Sequence, residues 1–375
     1  MGRKAPVPYT RVAGAAGNRT RAFEPRLVLR RSAPAFFGKT VKLSTTVTTP
    51  PAAAVPRSPR LPRVALVAAL VAGIGSAVSA PPGATSVYGR RLARAVAAGR
   101  IGGVEQPTED AGQAERILAT SLAMLAQTDS FSARLRQKVR IGDQVLVGTG
   151  SYVQSGRGED QRYFFDSMLK SDTETFTLVE VCDGLFAWSN RHYGTDPPQL
   201  ERLDVRRVRE KLAQLKAADP SAAAVYLGGL QRSLGTLRQW FRFETARPGD
   251  LAGTPVWILD GRWIPDWLRL IAPDLAAAAI RPGGITPAEL PDGVPWSVRF
   301  FIGRADFVPY RVEWLALPGR RPVAAGEPEL VGVLELLDVR IGGPIDAGKF
   351  VYKPAAEGLV DMTDMHVAGL GLLRR

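Results

Sequence analysis

"FSARLRQKVRI", residues 131–141, alternates with period two. Phe131, Ala133, Leu135, Val139 and Ile141 share one parity, and Ser132, Arg134, Arg136, Lys138 and Arg140 share the other. Successive side chains on a strand point to opposite faces, so this stretch predicts a half-buried strand with a cationic outer face. Gly142-Asp143 then turns the chain into a second strand over 145–153, and 156–160 turns it again. Strands over 162–169, 175–182 and 185–190 follow, the last two joined by the tight turn Asp183-Gly184. Five short strands joined by hairpin turns, with no helix between them, indicate an antiparallel meander.

Upstream of that run the period is helical. Ala114, Ile117, Leu118, Leu122 and Leu125 form one apolar face over 112–127. Downstream, Val205, Val208, Leu212 and Leu215 give a second helix. Leu227, Leu230, Leu234, Leu237 and Phe241 give a third, weakened by Gly228, Gly229 and Gly235. Strands are expected at 240–245 and 255–259, the latter ending at an Asp260-Gly261 turn. "RWIPDWLRLIAPDLAAAAI" (262–280) reads as a Trp-bearing helix, with Trp263 and Trp267 four apart on one face, where they either pack or meet a membrane or lid. Three more strands near 296–302, 310–316 and 330–341 precede a short one at 349–352. The sum is an α+β, mainly β fold. We expect an open, half-closed antiparallel β-barrel of about 10–11 strands with helices covering its concave face.

The N-terminal region is of another kind. "RLPRVALVAALVAGIGSAVSAPP" (60–82) has a basic flank, an uncharged apolar run and a small-residue end, the three parts of a secretory signal. The apolar run is short for a spanning helix, which needs about 20 residues. Cleavage after Ala77 or Ala80 is expected. A retained anchor and a buried core helix are the competing readings. Residues 1–80 hold thirteen Lys and Arg and one acid, Glu24, so nearly all of the chain's +13 lies there. The basic pI therefore gives no reason to expect a nucleic-acid partner for the rest. Residues 1–60 are Pro-rich and aperiodic, either a long leader or translation assigned from too early a start. We expect a signal at 61–80, a linker at 81–111, a folded domain at 112–364 and a tail at 365–375.

The chemical inventory is thin. The single cysteine, Cys182, excludes an intrachain disulfide, a Cys-rich metal site and a lipid-accepting cysteine after the signal. His192 and His366 stand far apart, which argues against a His-based metal site or triad. Asp183, His192 and Asp196 are close in sequence, as are Asp361 and Asp364, but these acids occupy turns, where Asp serves the backbone. There is no nucleophile elbow and no phosphate-cradling loop. No enzyme activity, cofactor or metal is expected.

The order of motifs carries a resemblance. An opening helix is followed by "FSARLRQKV", "GTGSYVQSGRG", "VCDGLFAW" and "VPYRVEWLA". The last is "IDAGKFVYKPAAEGLVDMTD", where Asp346-Ala347-Gly348-Lys349-Phe350-Val351-Tyr352-Lys353-Pro354 precedes Gly358 and Asp361. Over about 112–364 the chain resembles the periplasmic outer-membrane lipoprotein carrier family (LolA-like), as a distant member with a helical insertion at 262–295. The resemblance implies an extracytoplasmic protein with an apolar cavity under a helical lid, taking acyl chains of a lipoprotein or lipid between membrane-protein donor and acceptor. It also implies an arginine that closes the lid, for which Arg157 is the candidate and Arg162 the alternative. Related barrels sense or bind without transport, so an envelope sensor or structural binding module is the competing function.

A soluble acyl carrier needs an enclosed apolar wall, because each exposed CH₂ costs about 0.8 kcal/mol. Phe131, Leu135, Tyr163, Phe165, Phe176, Phe300, Ile302, Tyr310, Val312 and Trp314 are the candidate wall residues. The alternative is that they are ordinary core under the helices.

Overall fold

The structure is a computed structural model that describes residues 109–141, 144–215, 227–271, 289–290, 294–316, 329–354 and 358–372. All of them belong to one compact unit, Pro59–Arg375. The expected leader and signal, and most of the linker and of the insertion, lie outside the described residues.

Helix α1 (Glu109–Gln127) leads into the meander β1 (Ser130–Ile141), β2 (Gln144–Ser155), β3 (Arg162–Lys170), β4 (Thr175–Cys182), β5 (Phe186–Tyr193) and β6 (Gln199–Asp204). Two helices follow, α2 (Val205–Gln214) and α3 (Gly229–Trp240). The hairpin β7 (Phe241–Leu251) and β8 (Thr254–Trp263) comes next, then α4 (Pro265–Ile271). The chain closes with β9 (Ser297–Gly303), β10 (Pro309–Leu315), β11 (Leu330–Ile341), β12 (Leu359–Asp361) and α5 (Thr363–Leu372). The twelve strands form one sheet in the order β12-β6-β5-β4-β3-β2-β1-β11-β10-β9-β8-β7. Every pairing is antiparallel except β12 on β6. The terminal strands β12 and β7 are not paired with each other, so the sheet is open.

The sheet is also strongly curled, which its helices make plain. Helix α3 begins beside Tyr163 of β3 and runs without a break into β7. Twelve residues of helix span about 18 Å. On a flat sheet β3 and β7, seven strand spacings apart in this order, would stand roughly 33 Å apart. The face under α3 is therefore the concave one. Gly148 and Gly150 belong to the bend: a Cβ at either would lie 2.0 Å from a carbonyl oxygen of β3. No side chain fits there.

The predicted parity of β1 holds. Phe131, Ala133, Leu135 and Val139 are buried, and Arg134, Arg136 and Lys138 are exposed. The outer arginines are paired, Arg134 with Asp338, Arg136 with Glu335 and Arg140 with Glu329. Several expected elements are corrected. Strands β6 and β12 were not foreseen, and 349–352 is no strand: Ala347–Phe350 is a 3-10 turn capped by Asp346 Oδ1, which accepts from Gly348 N–H at 2.9 Å. Asp260-Gly261 is not a turn but lies within β8, and the hairpin turns at Ala252-Gly253. Gly261 is there because the Phe243 ring lies over it, 2.7 Å from where a Cβ would be. Trp263 ends β8, so it shares no helix face with Trp267 on α4.

The closing motif becomes a strap on the outer face. Phe350 is buried, Lys349 Nζ lies 5.8 Å over the Phe164 ring, and Tyr352 meets Trp188 at a tilt, ring centroids 5.9 Å apart. Asn190 Nδ2 donates to Tyr352 Oη at 3.1 Å. The strap then rounds the β6 edge as β12, where Arg202 Nη2 donates to Asp361 at 2.5 Å. It ends in α5, which packs on α2 and β6 where a tail was expected. Thr363 Oγ1 accepts from Asp204 N–H at 2.8 Å, tying this end to the start of α2.

Candidate functional site

The concave face is built by strand parity. One row across the sheet runs Phe131, Gln154, Tyr163, Cys182, Ala187, Leu203. The next runs Ala133, Tyr152, Phe165, Glu180, Ser189, Glu201. On the other side of β1, Gln137, Leu334, Val312, Phe300 and Leu259 continue the face. Of the ten candidate wall residues, Phe131, Leu135, Tyr163, Phe165, Phe176, Phe300, Ile302, Val312 and Trp314 are buried in one continuous apolar cluster. Tyr310 is half-buried at its margin, with its hydroxyl donating to Asp306 at 2.7 Å. Val205, Val208 and Leu212 of α2 and Leu230, Leu234 and Leu237 of α3 close this cluster from the helix side.

What joins the helices to the sheet is a polar seam at the N-terminal end of α3. Tyr163 Oη donates to the Leu227 carbonyl at 3.0 Å, and Glu180 Oε2 accepts the Gly229 N–H at 2.8 Å. Gln231 Nε2 donates to Gln154 Oε1 at 2.8 Å and to the Leu125 carbonyl of α1 at 3.2 Å. Gln154 Nε2 donates to that same carbonyl at 2.6 Å, and Tyr152 Oη to Gln154 Oε1 at 2.8 Å. Glycine is required at the entry: Gly228 and Gly229 have φ of +143° and +65°, and a Cβ at Gly228 would fall 1.9 Å from Tyr163 Oη.

Burial sets the protonation of the seam. Desolvation pushes the Glu180 carboxyl above its usual range, opposed by Arg232, by the Gly229 N–H and by Arg191. The Tyr152 and Tyr163 phenols are raised for the same reason, as is the Cys182 thiol, to about 11. A buried thiol of that kind is a poor nucleophile. The opposite end of α3 is held by aromatic contact. Trp263 and Trp267 both gather on Trp240, at 6.1 and 6.2 Å, and Trp263 Nε1 donates to the Pro295 carbonyl at 2.7 Å.

Arg157, the candidate lid arginine, lies at the turn after β2. Its Nη2 donates to Asp129 Oδ2 at 2.5 Å, and both side chains are mostly exposed, 58% and 74%. The arginine that ties a covering helix to this turn is Arg209 of α2, whose Nη2 donates to the Gly158 carbonyl at 3.3 Å. The seam residues Gln154, Glu180 and Gln231 were not foreseen. Their one signal in sequence is a polar side chain at an apolar position, as with Glu180 in step with Phe176 and Leu178. Asp183, His192 and Asp196 form no shared site: Asp183 Oδ1 accepts from Leu185 and Phe186 N–H, as turn residues do. Among the described residues, no three His, Cys, Asp or Glu side chains are grouped to hold a metal. No helix among them is long and apolar enough to cross a membrane.

No family model and no curated protein matches the chain. Solved structures similar to it include MucB, at 12% identity and TM-score 0.28, covering 66% of this chain and 64% of that one. Another is a putative outer membrane lipoprotein-sorting protein domain from Vibrio parahaemolyticus, at 8% identity, TM-score 0.24, and 64% and 97% coverage. A third is the lipoprotein LppX of Mycobacterium tuberculosis, at 8% identity, TM-score 0.27, and 63% and 98% coverage. The chain thus spans just under two thirds of the MucB chain and nearly all of the other two.

Proposed function

We propose that this chain is an exported carrier-type protein that binds the acyl chains of a lipoprotein or lipid between the curled sheet and its helical cover. The observation that carries the reading is the contrast between the two sides of the contact. The inner face carries one connected apolar cluster from Phe176 on β4 through β1 to Phe300 on β9, whereas the cover is fastened at one end by side-chain hydrogen bonds. Apolar packing has no direction and re-forms on any apolar surface, including an acyl chain. The polar bonds fix where the cover rests when it is down. Each contributes about 1 kcal/mol net, so a seam of a few can be broken by burying a chain at about 0.8 kcal/mol per CH₂.

Transfer between membrane-protein donor and acceptor belongs to the same proposal, as does an extracytoplasmic location, which the signal-like stretch at 60–82 supports. The test is native mass spectrometry of the purified full chain with lipid extraction, alongside titration with cis-parinaric acid. A co-purifying acyl lipid and saturable probe binding are expected. A lipid-free chain that leaves the probe unbound would reduce this fold to a structural or sensing module.

A further inference from the structure

Gln137 and Trp314 are among the polar side chains of the inner face that lie apart from the seam. Gln137 falls at an apolar position of β1, between Leu135 and Val139, and is 1% exposed. Its Oε1 accepts from Ser167 Oγ at 2.5 Å, while its Nε2 has no partner among the described residues. Exchanging the ends of the amide changes which one is paired, but one end stays unpaired either way. Trp314, also 1% exposed, carries an Nε1–H without a partner among the described residues, whereas the Trp263 indole donates to the Pro295 carbonyl.

The two residues lie two strands apart in the sheet, across β11. Gln137 pairs across β11 residue Leu334 with Val312, and Trp314 is the next inner-face residue along β10. Trp314 pairs with Gly332, which in turn pairs with Val139, so the strand between them has no side chain on that row. Ser121 of α1, wholly buried, also has a hydroxyl without a partner among the described residues.

Leucine and phenylalanine would fill these positions without leaving donors unpaired, and buried donors are ordinarily paired. We infer that Gln137 and Trp314 each offer a neutral donor on the inner face, an anchor for the carbonyl oxygen of an ester- or amide-linked acyl chain. Both donors are uncharged, and Val139, Leu334 and Val312 around them are apolar. Such surroundings accept a neutral carbonyl and penalise a carboxylate or phosphate. The anchor rests on the carrier reading and adds to it a preference for acylated over plain hydrocarbon ligands.

The test is competition for cis-parinaric acid bound to the full chain, with methyl dodecanoate set against dodecyl methyl ether. The two competitors are alike in length, but only the ester has a carbonyl. The ester is expected to displace the probe at roughly tenfold lower concentration, the difference made by one good hydrogen bond. Gln137→Leu and Trp314→Phe should each shrink that ratio towards one and leave displacement by the ether unchanged. Near-UV circular dichroism checks that each variant is folded. The carbonyl stretch of ¹³C-labelled ester should sit lower in the native chain than in either variant. Native protein without ester preference, or a preference that survives both substitutions, overturns the anchor while leaving the carrier reading intact. Failure of the probe to bind at all removes the carrier reading, and the anchor with it.

Discussion

At the scale of single residues, parity is the strongest signal in this chain. Leu135 and Lys138 are three apart and lie on opposite faces of β1, one buried and one exposed. Leu135→Asp should cost about 3 kcal/mol or more, since it puts an unpaired carboxylate against Leu336 and the inner wall. Lys138→Asp should stay within about 0.5 kcal/mol. Equal shifts in urea midpoint for the two would mean the register is wrong. What parity alone does not convey is that a polar residue out of place, such as Gln154 or Glu180, has a partner on a helix far away in sequence. The buried Glu180 gives a second prediction. Its folded pKa is raised, so the stability it contributes is full below the ordinary carboxylate value and is lost as pH rises through the raised value. Glu180→Gln keeps an acceptor for the Gly229 N–H without the charge. The variant should therefore gain in melting temperature relative to the native chain as pH climbs from about 4 to 8. A difference that does not vary with pH would show that Arg232 and Arg191 compensate the carboxylate fully.

Among elements, the meander and the last three long strands were legible because each runs seven to twelve residues with alternation on a half-buried sheet. Strand β6 was not, since QLERLD is short and mixed, and β12 is three residues whose only reason to be extended is the open edge of β6. Edge pairing is a tertiary fact and leaves no local period. Helix α5, with Gly369 and Gly371, reads as a tail for the same reason: its place is set by Thr363 meeting Asp204 N–H and by Arg207 pairing with Asp364. Helix α3 is legible in its leucines, but the function of the glycines before it is not the helix weakening its sequence implies. Gly228 lets the backbone pass against Tyr163 Oη. Gly228→Ala should therefore cost the positive-φ strain, about 1–3 kcal/mol, and also displace Tyr163 from the Leu227 carbonyl. Gly158, with φ of +54° and open space around its Cβ position, supplies the control. Gly158→Ala should show the backbone cost alone, so similar thermal shifts for the two alanines would mean that Tyr163 is not held there.

For the whole molecule, the question is whether the cover opens apart from global unfolding, and the chain contains its own reporter. Cys182 is the single cysteine, buried on the inner face beside Tyr152 and Tyr163, with its thiol pushed up to about 11 by burial. A thiol reagent reaches it either when the entire sheet comes apart or when the helices lift. Leu135→Ala weakens the wall and acts through the first route. Tyr163→Phe and Gln231→Ala delete seam bonds and act through the second, at about 1 kcal/mol or roughly fivefold in the open population for each bond. If the cover opens locally, the seam variants should speed Cys182 labelling well beyond a Leu135→Ala chain brought to the same stability with urea. Saturating methyl dodecanoate should alter that labelling rate without a matching change in unfolding rate. Opening of this kind draws on the low-stability end of a fold, where polar contacts outnumber apolar ones. The curled sheet, continuous from β2 through β11, should keep its slow amide exchange throughout. Labelling rates that follow global stability alone, in every variant and with ligand present, would mean that the helices and sheet form one cooperative core that no acyl chain enters without unfolding it.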